Sequence, residues 1–71
     1  MSKVKMHIEG INQNSSASKI KSVLESLGET KNVKIDAQSG TAVMDTTQRD
    51  ERLKIVVEDL GCTVTKIMPI E

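Results

Sequence analysis

The first residues of the chain alternate between polar and apolar side chains. Val4, Met6 and Ile8 are apolar, and the residues between them are charged or polar. A period of two predicts a β-strand with one apolar face and one polar face. Three further segments show shorter patterns of this kind, although Val64 and Ile67 do not alternate cleanly and leave the inward face of the last strand open. The four predicted strands cover residues 3–9, 33–36, 41–45 and 63–68.

Two other segments have helical periodicity. Each carries four apolar residues at i, i+3, i+4 and i+7, which predicts a helix with one apolar face. These residues are Ile20, Val23, Leu24 and Leu27 in the first segment and Leu53, Val56, Val57 and Leu60 in the second. Gly28 follows the first pattern, where a left-handed residue would close the helix, and Gly61 follows the second. The expected helix caps are Ser15 or Ser16 for the first helix and Thr46 or Thr47 for the second.

The order of these elements indicates the fold. The two helix patterns match each other, and each lies between two strand-like segments, so the chain consists of two β-α-β halves. Two copies are too few for a repeat array, which needs about three units. Right-handed crossovers place both helices on the same side of the sheet. We therefore expect an α+β, ferredoxin-like β-α-β-β-α-β sandwich with a four-stranded antiparallel sheet, formed by one domain over residues 1–71.

Composition excludes several classes of function. Ten basic and ten acidic residues cancel, and the chain has no Phe, Tyr or Trp. We therefore expect no nucleic-acid partner, because a net positive charge and base-stacking side chains are both missing. A Ser-His-Asp set and a glycine-rich phosphate loop are also missing, so no enzymatic activity is expected. The sequence contains no membrane segment and no secretory signal pattern.

Cys62 is the single cysteine. It cannot form a disulfide within the chain, and a reducing, cytoplasmic location is expected. As a lone thiolate it chelates a metal poorly unless a second molecule supplies another ligand. The alternative interpretation is a small, partly buried thiol at the start of the last strand.

Three short stretches occur in a fixed order and spacing. They are Met6-His7-Ile8-Glu9-Gly10, then Val33-Lys34-Ile35-Asp36 with Gly40 four residues later, and Val57-Glu58-Asp59-Leu60-Gly61. With them, residues 3–67 resemble the heavy-metal-associated family, which includes small copper chaperones and N-terminal modules of metal-pumping ATPases. The resemblance implies the same ferredoxin-like fold and places the loop of Cys62 beside the first loop.

The first loop departs from the family at the residues that bind metal. In the family it reads Gly-Met-x-Cys-x-x-Cys, and the two thiolates hold an ion such as Cu(I). In this chain the loop consists of Gly10, Ile11, Asn12, Gln13, Asn14, Ser15 and Ser16. Gln13 and Ser16 stand at the cysteine positions, and their neutral, hard donors do not compete for Cu(I) as thiolates do.

The sequence therefore predicts a degenerate heavy-metal-associated domain, without cofactor, that acts as an interaction module for another protein and is a monomer or a weak dimer. The alternative is a Cu(I) or Zn(II) carrier with a non-standard site that involves Cys62, or a domain of a metal-transporting ATPase. The open sheet face is expected to be solvated and of mixed charge, and edge strands are natural docking places. The residues expected on that face are Lys3, Lys5, His7, Lys34, Asp36, Val43 and Asp45.

Overall fold

The element order of the predicted fold is confirmed. The computed structural model describes residues 2–11 and 16–70. The elements are β1 (Ser2–Glu9), α1 (Ser16–Glu25), β2 (Thr30–Asp36), β3 (Thr41–Thr46), α2 (Asp50–Glu58) and β4 (Thr63–Pro69). The sheet order is β2-β3-β1-β4 and every neighbouring pair is antiparallel, so β2 and β4 form the edges.

The core lies between the sheet and the two helices. It is built from aliphatic side chains, methionine and alanine, as the absence of aromatic residues requires. Its members include the inward residues of the strands and the apolar stripe of each helix: Val4, Met6, Ile8, Ile20, Leu24, Val33, Ala42, Met44, Leu53, Val57, Cys62 and Val64. Neither α1 nor α2, the helices in the described part of the chain, is long and apolar enough to cross a membrane.

A β-bulge explains the irregular pattern of the last strand. Ile8 pairs with Val64 whereas His7 pairs with Lys66, so Thr65 is an extra residue in β4. Its hydroxyl donates a hydrogen bond to the carbonyl of His7 at 3.2 Å. The extra residue lets Val64 and Ile67 both face the core, although their spacing does not fit a regular strand.

Strand β2 begins at Thr30, three residues before its predicted start, and contains a second β-bulge. Lys31 pairs with Asp45 and Lys34 with Val43, which leaves one extra residue on β2. Asn32 has φ of 57° there, and its side-chain amide donates to Asp45 Oδ2 at 2.7 Å. Because the bulge breaks the alternation of side chains, the sequence pattern marked only residues 33–36 as strand.

The predicted cap of α2 is wrong. The N-cap is Arg49, and its side chain makes no capping hydrogen bond. Thr46 is instead buried, where its hydroxyl accepts from the backbone N–H of Gln48 at 2.9 Å and bonds the hydroxyl of Thr30 at 2.8 Å. That threonine thus stabilises the turn before the helix and ties β3 to β2. The cap of α1 remains a prediction, because Ser15 and the side chain of Ser16 lie outside what the structure describes.

The helix ends agree with expectation only in part, since Gly61 has a positive φ of 91° after α2 but Gly28 does not after α1. Glu29, not Gly28, has the left-handed conformation after α1, with φ of 56°. Two hydrogen bonds hold it: Thr47 donates its backbone N–H to the carbonyl of Glu29 at 3.2 Å and its hydroxyl to Glu29 Oε2 at 2.8 Å. Helix α2 ends at Glu58, so Leu60 lies beyond it and is 39% exposed instead of packing in the core.

Candidate site at the first loop and Cys62

The loop of residues 10–16, which is predicted to lack the metal ligands of the family, connects β1 to α1. The structure describes Gly10 and Ile11 at its start and places Ser16 at the first position of α1. Ile11 is partly buried and packs against the core. The remaining loop positions, Asn12, Gln13, Asn14 and Ser15, lie outside the described ranges, so their predicted roles stay predictions.

Cys62 lies beside the start of this loop. Gly61 has φ of 91°, which turns the chain from α2 into the short segment that carries Cys62. The Cys62 Sγ lies 3.8 Å from the carbonyl oxygen of Gly10, within reach of a weak S–H hydrogen bond. A Cβ added to Gly10 would lie 3.8 Å from the Cα of Cys62, so a side chain at Gly10 would contact the backbone of Cys62. The structure thus brings the lone thiol and the first residue of the loop together.

The thiol faces the core, where it is hard to reach. Cys62 is 6% exposed and belongs to the core cluster together with Ile8 and Val64. A small buried thiol with one weak acceptor is the ordinary environment of a structural cysteine. A metal ion at this sulfur would require the side chain to leave the core.

Cys62 belongs to no cluster of His, Cys, Asp and Glu ligands among residues 2–11 and 16–70. In those ranges no group of three or more His, Cys, Asp or Glu side chains could hold a metal ion. His7 pairs with Thr41 and Lys66 on the opposite face of the sheet, away from the core that contains Cys62. Met6 and Met44 are fully buried, which confirms that they fill the core.

No protein-family model matches the chain, and no curated protein matches it by sequence. Solved structures match over almost the whole length. The N-terminal domain of PacS from Synechocystis PCC6803 has a TM-score of 0.84 and 16% identity, covering 96% of this chain and 98% of that one. The CopZ metallochaperone has a TM-score of 0.85 and 18% identity, covering 90% and 100%.

A yeast copper transporter domain, Ccc2a, gives a similar result. Its TM-score is 0.82 at 15% identity, with 96% of this chain and 100% of that chain covered. At these low identities the likeness shows a shared fold. The four-stranded antiparallel sheet with two helices in β-α-β-β-α-β order is therefore the ferredoxin-like fold of these metal-binding domains.

Proposed function

We propose that this chain is a heavy-metal-associated domain that has lost the metal site of its family and acts as an interaction module for another protein. Its single cysteine carries the proposal: Cys62 is buried against the Gly10 carbonyl, while Gln13 and Ser16 occupy the loop positions of the family's two cysteines. An amide and a hydroxyl do not hold Cu(I) in competition with cellular thiols. They also differ from the thiolate, imidazole and carboxylate ligands that hold Zn(II). We therefore assign neither Cu(I) nor Zn(II) as its cargo.

An interaction role is supported by the surfaces that the fold leaves uncovered. One face of the sheet packs against the helices, and the other carries polar side chains. The edge strands β2 and β4 have backbone groups without a neighbouring strand within the sheet, and such edges can pair with another chain. We propose a non-catalytic protein that resides in the cytoplasm, where a lone thiol stays reduced.

The competing function is a metal carrier that uses Cys62. The position of Cys62 next to Gly10 favours it, since a ligand there would lie at the start of the family's metal loop. Its burial opposes it, because a shared site between two molecules requires both thiols to become exposed. Metal binding through Cys62 would therefore be accompanied by dimerisation.

Competition titration separates the two functions. The reduced protein and its Cys62→Ser variant would be titrated with Cu(I), and separately with Zn(II), against a chelator that reports the free ion. We expect the chelator to keep the metal in both cases and the two proteins to behave alike. Sub-micromolar binding that disappears in Cys62→Ser, with dimer formation on metal addition, would establish the carrier function instead.

A further inference from the structure

The open face of the sheet is formed by four rows of side chains. Residues paired across antiparallel strands point to the same face, so the register identifies the members of each row. The rows are Asp36, Thr41, His7 and Lys66; Lys34, Val43, Lys5 and Met68; Lys31, Asp45 and Lys3; and Glu9 and Thr63. They alternate with inward residues such as Met6 and Ala42, which lie in the core.

This open face is basic although the chain as a whole is neutral. It carries five lysines, two aspartates and Glu9, a formal charge of +2 with His7 neutral. Since the whole sequence has a net charge of zero, all remaining residues together carry −2. The charge asymmetry between the sheet face and the rest of the molecule is not visible in composition.

Neutral neighbours already bind both aspartates of the face. Asp45 accepts a hydrogen bond from the side-chain amide of Asn32 at 2.7 Å. Asp36 accepts the backbone N–H groups of Gln38 and Ser39 at 3.0 Å and 3.3 Å, which fixes its carboxylate in the β2–β3 turn. Both aspartates therefore have structural partners of their own on this face.

The middle row combines charge with apolar surface. Val43 and Met68 are partly exposed and flank Lys5, and Lys34 lies at the end of the row. A depression of about 270 Å³ opens beside Val43, lined also by Lys3, Lys34, Asn32 and Asp45. Such a surface suits a partner that places an aliphatic side chain on Val43 and carboxylates against the lysines around it.

We propose that the open sheet face, defined by the four rows above, binds an acidic segment of a partner protein. The inference deepens the proposed interaction function by naming the surface and the chemistry of the partner. Nucleic acid fits less well, because the chain has no aromatic side chain for base stacking and three carboxylates lie on the same face as the lysines. A polypeptide rich in Glu and Asp is then the partner whose charge complements that of the open face.

The probe for the test is poly-L-glutamate, added to isotope-labelled protein at low salt while backbone amide shifts are recorded by NMR. A metal chelator is present throughout, so the outcome does not depend on whether Cys62 binds metal. We expect shifts concentrated in β1 and β3 and in the parts of β2 and β4 that flank them. The shifts should vanish near 1 M salt, where the Debye length falls to about 3 Å.

Two charge-reversal variants with the same net charge locate the surface. Lys34→Glu with Lys66→Glu reverses two exposed lysines of the open face, and Lys19→Glu with Lys21→Glu reverses two exposed lysines on α1. The first pair should weaken binding of the polymer by on the order of tenfold, because both of those lysines lie on the face that meets the polymer. The second pair should change it much less.

Several results would overturn the proposal. They are absence of binding to poly-L-glutamate, equal losses in the two double variants, and shifts centred on the helices. Tighter binding to single-stranded DNA or to anionic lipid vesicles than to poly-L-glutamate would show that the partner is a nucleic acid or a membrane and not an acidic protein. Self-association at low salt without any probe would identify a second copy of this chain as the occupant.

Discussion

Gly40 lies where the β2–β3 turn passes against β1. Its φ is +68°, a left-handed conformation that residues with a Cβ rarely adopt. A Cβ built at this position would lie 2.7 Å from the carbonyl oxygen of Ile8. The backbone N–H of Ile8 donates to the carbonyl of Gly40 at 2.7 Å, so neither segment can move without loss of that bond. The substitution Gly40→Ala therefore meets two separate obstacles.

The expected magnitude follows from these two obstacles. A left-handed conformation costs a residue with a Cβ roughly 1–2 kcal/mol. Relief of the contact with the Ile8 carbonyl requires a backbone shift, which costs about 1–3 kcal/mol, and strains or breaks a hydrogen bond with a net value of about 1 kcal/mol. We expect Gly40→Ala to lower the free energy of unfolding by roughly 2–5 kcal/mol, a large part of the total for a small domain.

Variants at two other glycines separate the cost of the left-handed conformation from the cost of the steric contact. Gly61 has φ of +91° but nothing within 4 Å of an added Cβ, so Gly61→Ala should lose only the conformational term of roughly 1–2 kcal/mol. Gly28 has no contact within 4 Å and is not left-handed, so Gly28→Ala should be neutral or stabilising by up to about 1 kcal/mol.

Urea denaturation followed by far-UV circular dichroism measures all three variants, since the chain has no Trp or Tyr for fluorescence. Equal losses for Gly40→Ala and Gly61→Ala would refute the reasoning about the contact with Ile8. Unchanged stability in Gly40→Ala would refute both the conformational cost and the cost of the contact with Ile8.

Two further predictions concern the core and the β2 bulge. Leu24→Asp should abolish the cooperative thermal transition, because Leu24 is fully buried, whereas Leu60→Asp should retain it at a position that is 39% exposed. If Leu24→Asp melted like the parent, the core assignment would be wrong. At Asn32, whose φ is 57°, Val should cost roughly 1–2 kcal/mol more than Gly, as read from urea midpoints. Similar midpoints for the two variants would mean that the bulge does not require a left-handed residue.

The architecture was predictable because periodicity reports which side chains are buried. The alternation at Val4, Met6 and Ile8 and the helical stripes around Leu24 and Val57 correspond to core positions, with Leu60 as the exception. The order of elements and the match between the two halves then favoured the ferredoxin-like arrangement, which buries the apolar faces of both helices against one sheet. These features follow from hydrophobic burial, which is recorded directly in the sequence.

The local corrections arise from hydrogen bonds that depend on tertiary neighbours. Thr46 was a plausible cap by type, but its hydroxyl pairs with Thr30 on the adjacent strand, and no sequence signal announces that contact. Glu29 adopts a left-handed conformation because Thr47 hydrogen-bonds to it from a different part of the chain. The bulge at Thr65 shifted the alternation of β4, and only the register with β1 identifies it.

For the candidate site, the sequence located Cys62 next to the first loop through a family resemblance, and the structure places its sulfur at the Gly10 carbonyl. The burial of that thiol was left open between two interpretations, since a single cysteine after a glycine carries no burial signal of its own. The basic character of the open sheet face was predicted only as mixed charge. Lys31 and Lys66 join it through a bulge in each edge strand.

We propose that this chain keeps the fold of a metal-binding domain and lacks only the two thiolates that would bind Cu(I). The most direct test restores that pair with Gln13→Cys and Ser16→Cys and measures Cu(I) affinity by competition with a chelator. We expect the double variant to take one Cu(I) per chain from the chelator. The unmodified chain should leave Cu(I) bound to the same chelator. Equal Cu(I) affinity of the double variant and the unmodified chain, with both folded, would contradict the claim.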